Sequence, residues 1–386
     1  MFHENKAYHY RQDIDGLRAL AIVSVVLFHV FPGFLRGGFV GVDIFFVISG
    51  YLIGGIIHRE MMADSFSFVY FYSRRVRRIF PALILVLLLT TLAGSLLLTI
   101  KEQIQLGKHV LGAASFVANI VYWNEAGYFD ISVETKPLLH IWSLGIEEQF
   151  YLAFPLLLFA AWRRVSLTKL VVVLLLSSFA YSIYSINTDI VTAFYSPLAR
   201  FWELMAGCLL ALNAVSFRRV IFDNRNSISI AGFLMLIFAI LFIDKSASFP
   251  GYYALVPVVG TVLIILSGEA AIVNRVIASR PMVAIGLISY PLYLWHWPIL
   301  AFYKIAFGQG PSYIAGLSLL VISVILSYLT WRLVELPVQR CGYRSIKVLS
   351  VLMVLVAIIG SIFYIQDFER TNESAAEQGM ELLNPK

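Results

Sequence analysis

Four groups of ionisable or nucleophilic residues interrupt stretches of this chain that are otherwise apolar. Charge is expensive inside a bilayer, so each group is a candidate for chemistry. The first is Asp15, Arg18, His29 and Asp43. Arg18 and His29 are eleven residues apart. At about 100° per residue both fall on one helix face, separated along it by ~16 Å. Asp15 and Arg18 have the i,i+3 spacing of a helical ion pair. His29 precedes the short turn 32–38 and Asp43 follows it. An Asp43–His29 contact would fix the imidazole tautomer and stabilise imidazolium, which is what a general base needs. The plainer alternative is a histidine that satisfies a neighbouring helix.

The second group is Arg74, Arg75, Arg77 and Arg78, closed by Pro81. Lysine would serve equally well as a topological anchor. Four arginines without a lysine point to planar, bidentate recognition of phosphate, with a plain anchor as the alternative. The third is His140, Trp142, Ser143, Glu147, Glu148 and Tyr151. His140, Ser143, Glu147 and Tyr151 share a helical face, and Glu148 is offset from Glu147 by about 100°. Polar packing between helices is the alternative there. In the fourth, Ser289, Tyr293 and His296 follow i, i+4, i+7, with Pro291 and Pro298 expected to bend the helix. An interfacial aromatic belt is the alternative. Arg200 and Glu203 suggest an ion pair within a span, and Glu335, before Pro337, a structural cap. The two cysteines, Cys208 and Cys341, have no metal-ligand spacing and no expected disulfide.

The elements that position these residues are transmembrane helices. The chain is 60% hydrophobic and only 13% charged, against about 25% charged in soluble domains. Its mean hydropathy is +0.82. The fold class is all-α, a polytopic bundle of about eleven spans near 17–32, 38–58, 80–99, 139–161, 168–186, 194–213, 227–243, 252–267, 281–303, 312–335 and 348–366. With the N-terminus inside, roughly 18 of the 29 Lys and Arg fall on the inner side. The net charge of +6 thus reflects loop topology and not nucleic-acid binding. Counting the apolar segment 106–123 as a span would reverse every later loop. It is therefore expected as an extra non-spanning or re-entrant helix on the outer side, packed against protein or a water-filled cavity. The C-terminus is then outside, with 367–386 as a polar linker.

Taken together, these residues resemble the acyltransferase-3 family of integral membrane acyltransferases, and within it the bacterial O-antigen and surface-polysaccharide O-acetyltransferases. The matching signatures stand in order: Arg18 with His29, Gly41 to Tyr51, Arg74-Arg75-x-x-Arg78 with Pro81, Trp142 to Tyr151, and Ser289 to His296. The resemblance covers about 10–340. It implies a domain organisation of 1–340 as the acyltransferase transmembrane domain, 341–366 as an additional helix and 367–386 as an extracytoplasmic tail. Many relatives with that additional helix continue into a Ser-Gly-Asn-His hydrolase-like domain, for which the tail is the expected attachment point. The chain is then either a stand-alone protein or the membrane part of a longer one.

The resemblance also implies acetyl-CoA as the cytoplasmic acyl donor, served by Arg74, Arg75, Arg78 and Arg18. The acceptor is a hydroxyl of a surface glycan such as O-antigen or another surface polysaccharide, with a lipid-linked form as one option, and no metal is implied. His29, Arg18, Asp43 and Glu147 form the expected catalytic set. His140, Trp142, Ser143, Glu148, Tyr151, Ser289, Tyr293 and His296 are expected to line the cavity. The expected location is the bacterial cytoplasmic (inner) membrane. His29 acts either as general base or as a transient acyl acceptor. One rival function fits intramembrane His, Glu and Arg, a transporter or flippase for a glycan or acyl compound; a second, a non-catalytic anchor for a partner enzyme, leaves the His29 and Glu147 groups unexplained.

Overall fold

The computed structural model describes residues 10–126, 133–244, 248–342 and 344–383. Helices and short turns account for them, with no strand among the described residues. In chain order the helices are α1 (Gln12–Val30), α2 (Gly41–Met62), α3 (Phe68–Leu97), α4 (Ile100–Ala114), α5 (Ala118–Glu125), α6 (Trp142–Ala161), α7 (Leu167–Thr188), α8 (Ile190–Tyr195) and α9 (Pro197–Ile221). There follow α10 (Arg225–Phe242), α11 (Leu255–Ser267), α12 (Ile272–Ile277), α13 (Arg280–Leu287), α14 (Ser289–Phe307), α15 (Tyr313–Thr330), α16 (Leu336–Arg340) and α17 (Arg344–Leu383).

Among the described residues seven helices are long and apolar enough to cross a membrane: α2, α3, α6, α7, α10, the α15–α16 rod and α17. The pair α13–α14 makes an eighth if its 63° bend is counted as one broken span. This is fewer than the eleven expected. α1 carries Asp13, Asp15 and Arg18, α9 carries Arg200 and Glu203, and Gly251–Ser267 is shorter than the ~20 residues a span needs. Segment 106–123 does not form a single helix. α4 ends at Ala114, Phe116 adopts a left-handed φ of 58°, and α5 begins at Ala118. Neither piece is a candidate span. Residues 127–132 of the loop that follows lie outside the described residues. The expected linker after 366 is helical to Leu383. Its Ala, Glu, Gln and Leu content explains this, because those residues are good helix formers.

The chain divides into two units. One comprises Met1–His58, Val165–Ser177 and Trp202–Ser289; the other comprises Arg59–Arg164, Ser178–Phe201 and Tyr290–Lys386.

In the first unit, glycines set how closely helices approach. A Cβ on Gly50 would lie 1.8 Å from the Leu204 carbonyl oxygen, and one on Gly207 would lie 2.0 Å from that of Val47. α2 and α9 therefore touch backbone to backbone, as small residues permit in membrane helices. Gly16 does the same for α1 against Ile277, and Gly286 for α13 against the Asp15 carbonyl. A buried network then fixes the start of α1. Arg11 holds Asp13 through two hydrogen bonds of 2.8 and 2.6 Å and donates to the Tyr51 hydroxyl at 3.2 Å. Asp13 also accepts from Asn274 Nδ2 at 2.7 Å, and Ser229 donates to Asn274 Oδ1 at 3.2 Å. Every charge removed from water here gains a partner, as burial demands. The register of α1, and so the heights of Arg18 and His29, follows from these contacts.

In the second unit, α3 starts at a Ser67 cap whose hydroxyl accepts from the Tyr70 amide, and it runs through Pro81 without breaking. α17 packs on α4 where Gly107 and Gly360 meet: a Cβ on Gly107 would lie 2.7 Å from the Gly360 carbonyl oxygen.

Candidate functional site

The first unit holds Arg18, His29 and Asp43. Arg18 pairs with Asp15 at 3.2 Å, the expected i,i+3 contact. Asp15 also accepts from the Tyr10 hydroxyl at 2.5 Å. His29 lies in the last turn of α1 and Asp43 in the first turn of α2, where it is fully buried. A turn and the 3-10 segment Gly38–Val40 join the two helices. Ser289, also in this unit, is buried at the start of α14. The chain bends before that residue, between α13 and α14, and α14 is continuous through Pro291 and Pro298.

The second unit holds the arginines. They sit in the N-terminal part of α3, which begins six residues before Arg74 and continues into a stretch without charged residues from Ile79 to Leu97. Helical geometry separates their roles. Arg74 pairs with Glu60 at 2.6 Å and lies over the Tyr70 ring at 4.4 Å. Arg77 donates to the Cys341 carbonyl at 3.0 Å. Arg75 and Arg78 form no ion pair within 4 Å among the described residues. Arg75 lies 5.8 Å from the centroids of both Phe71 and Tyr151, and its Nε is buried without a hydrogen bond. Glu148 of α6 stands within electrostatic reach of Arg75, Arg78 and Glu147, and its Oε1 is likewise buried without a hydrogen bond. The Tyr151 hydroxyl donates to Glu147, one turn away on the helical face that spacing assigned to both.

α14 supplies the facing groups. Tyr293 donates to the His140 carbonyl at 2.6 Å. A phenol has one proton to give, so the 2.6 Å contact between Tyr293 and Ser143 is a bond that Ser143 donates. His140 sits in the 3-10 turn Leu139–Ile141 before α6, and not on the α-helical face inferred from spacing. Its ring still meets those of Tyr293 at 5.3 Å and His296 at 5.5 Å. His296 Nδ1 lies 3.1 Å from the Leu292 carbonyl, which assigns the proton to Nδ1. Trp142 turns elsewhere: Phe194 packs on it at 4.4 Å and the Arg200 guanidinium stands 5.7 Å from its ring. Arg200 and Glu203 are both buried.

Two groups join this site that spacing did not select. Tyr290 donates to the Ile79 carbonyl at 2.9 Å and lies within electrostatic reach of Glu335, Glu148, Glu147 and Arg78. Glu335 is buried at the end of a single π-helical turn, Trp331–Glu335, a feature common at functional sites. An acid buried in an apolar helix was the available signal for Glu335; the function of the π turn is invisible in spacing. Chemically, Arg75 and Arg78 offer planar donors to an oxyanion, near the carboxylates of Glu147, Glu148 and Glu335 and the hydroxyls of Tyr151 and Tyr290. Among the described residues no three His, Cys, Asp or Glu side chains are grouped to hold a metal ion.

The model of the acyltransferase-3 family, an acyltransferase domain, matches residues 11–332. This chain belongs to that family. It is similar to the O-acetyltransferase OatA of Staphylococcus aureus strain NCTC 8325 / PS 47, with 30% identity over 354 residues, 87% of this chain and 58% of the relative. It is also similar to the putative O-acetyltransferase SAS0844 of S. aureus strain MSSA476, with 30% identity over 369 residues, 90% of this chain and 60% of the relative. The chain thus spans little more than half the length of the curated relatives it matches. No solved structure matches it. Family membership and the apolar helices make it a multi-pass membrane protein.

Proposed function

We propose that this chain is a membrane O-acyltransferase. It moves an acyl group, first of all acetyl, from cytoplasmic acyl-coenzyme A to a hydroxyl of an extracytoplasmic glycan such as O-antigen. The observation that carries the donor half is the pair Arg75 and Arg78: two guanidiniums on one helix that form no ion pair within 4 Å among the described residues, the Nε of Arg75 being buried without a hydrogen bond. Such a pair suits the bidentate recognition of a polyphosphate end. Arg74, held by Glu60, contributes positive charge more than direct contact.

The transfer half rests on α1. His29, with Asp43 setting its tautomer, removes the acceptor hydroxyl proton as the oxygen attacks the thioester carbonyl; coenzyme A leaves as the thiol. Arg18, fixed by Asp15, serves the donor from the same helix. Glu147, Ser143, Tyr293 and His296 orient the reacting groups, with an N-inside, C-outside topology in the bacterial cytoplasmic membrane. The names of the relatives support acetyl as the group transferred.

The test is acyl transfer by the purified protein in vesicles carrying lipid-linked glycan, with acetyl-labelled acetyl-CoA supplied outside inside-out vesicles. Ester-linked label on the glycan is expected. Movement of glycan across the bilayer with no ester formed would replace this reading with the transporter.

A further inference from the structure

The segment that carries His140 is tied to the rest of its unit by a cluster that the transfer chemistry does not use. Glu125, the last residue of α5, accepts from His109 Nε2 at 2.8 Å and Lys136 Nζ at 3.2 Å, and pairs with Lys108 at 2.9 Å. His109 and Lys136 are 1% and 3% exposed. A lysine so placed keeps its charge out of water only beside a carboxylate. The backbone of that same Lys136 has a second task. Its carbonyl accepts from the Leu139 amide at 3.1 Å, which opens the 3-10 turn, and from Trp297 Nε1 at 2.8 Å, which fastens that turn to α14. Four residues on from Lys136, His140 presents its carbonyl to Tyr293 and its ring to Tyr293 and His296. The other end of the cluster is equally firm: Lys108 and His109 follow Gly107, the point where α17 lies against α4.

We propose that Glu125 is a positioning residue for acyl transfer. Through the Lys136 ammonium it holds the Lys136 carbonyl, the turn Leu139–Ile141 and thus the Ser143–Tyr293–His140 chain of hydrogen bonds in one geometry. This rests on the acyltransferase reading. Glu125 acts through Lys136 and not as a catalytic group. Its neutralisation lets Lys136 seek water, and the turn it begins loosens with it.

The experiment uses the full chain in detergent or nanodiscs, each variant assayed well below its own unfolding temperature. Glu125→Gln and Lys136→Met are expected to lower kcat at least tenfold with the KM for acetyl-CoA within about twofold. The double variant is expected to be no worse than the poorer single, because both act on one linkage. Lys136→Arg, which keeps the charge, is expected to restore most of kcat. Amide exchange of the peptide covering 134–145 should accelerate at least tenfold in Glu125→Gln while α15 is unchanged. Wild-type kcat in Glu125→Gln, additive losses in the double variant, or acceleration confined to α4 and α5 with 136–141 still protected would each overturn the proposal. If the wild-type protein forms no ester, the acyltransferase reading fails, and the exchange of 134–145 alone decides whether Glu125 positions the His140 turn.

Discussion

Replacing Arg75 and Arg78 separates phosphate recognition from a topological anchor. A charge-assisted hydrogen bond is worth about 1.5–3 kcal/mol, so losing one such contact raises the KM for acetyl-CoA roughly 10- to 150-fold. Arg75→Ala and Arg78→Ala are each expected in that range. Arg75→Lys keeps the charge but loses the planar fork between Phe71 and Tyr151. Cation–π contacts of this kind contribute ~0.5–1 kcal/mol, about two- to fivefold. The Arg75→Lys, Arg78→Lys double variant should therefore still show a KM raised about fivefold or more, although its net charge is unaltered. Arg74→Ala is the internal control. Arg74 spends its guanidinium on Glu60, so its loss should reduce stability more than donor affinity. The assay is initial-rate acyl transfer across a range of acetyl-CoA concentrations at saturating glycan. A wild-type KM in the double lysine variant would refute bidentate recognition and return the arginines to the role of an anchor. An Arg74→Ala effect on KM as large as that of Arg75→Ala would refute the division of labour along α3.

His29→Ala should lower kcat by about 10²–10⁴-fold, the usual contribution of a general base, in a protein that still elutes as a single species; ester formation on the glycan measures it. Gly50→Ala should lower folded yield and Tm, because its Cβ would fall 1.8 Å from the Leu204 carbonyl oxygen, whereas Gly310→Ala, with open space around it, should be neutral; thermal size-exclusion profiles compare them. Acid should destabilise the α4–α5 cluster in two windows. Burial pushes the His109 imidazole below 6.5 against the pull of Glu125, so the unfolded chain takes up a proton that the folded one resists, and stability falls as pH drops below about 6.5. Burial works to raise the Glu125 carboxyl, but His109, Lys108 and Lys136 hold it at about 2, so the stability it provides above 4.5 is lost as pH falls from there towards 2. Tm measured against pH should lose its lower arm in Glu125→Gln and its upper arm in His109→Phe.

Short-range features of this protein were fixed by the order of its residues, because helix geometry is local. Asp15–Arg18 at i,i+3 and Glu147–Tyr151 at i,i+4 formed as their spacing required, and the apolar runs became helices. The family was legible for the same reason: its signatures are local strings. Tertiary structure alone decided what spacing leaves open. Arg74 and Arg75 are adjacent and chemically identical, yet only the fold brings Glu60 to Arg74 and leaves Arg75 to two aromatic rings. Ser143 and Tyr293, 150 residues apart, meet because α6 and α14 come together. Among the described residues fewer helices are long and apolar enough to cross a membrane than the hydropathy reading proposed, because α1 and α9 carry buried charge; on α1 the Arg11–Asp13 pair shows how such charge is satisfied. Lys136 illustrates the limit most clearly. In sequence it is one cation beside an acidic loop; in the fold its side chain answers Glu125 and its carbonyl anchors the turn that holds His140. A contact between distant residues depends on which helices pack together, and that is set by the balance of all buried surfaces at once, not by any one stretch of the chain.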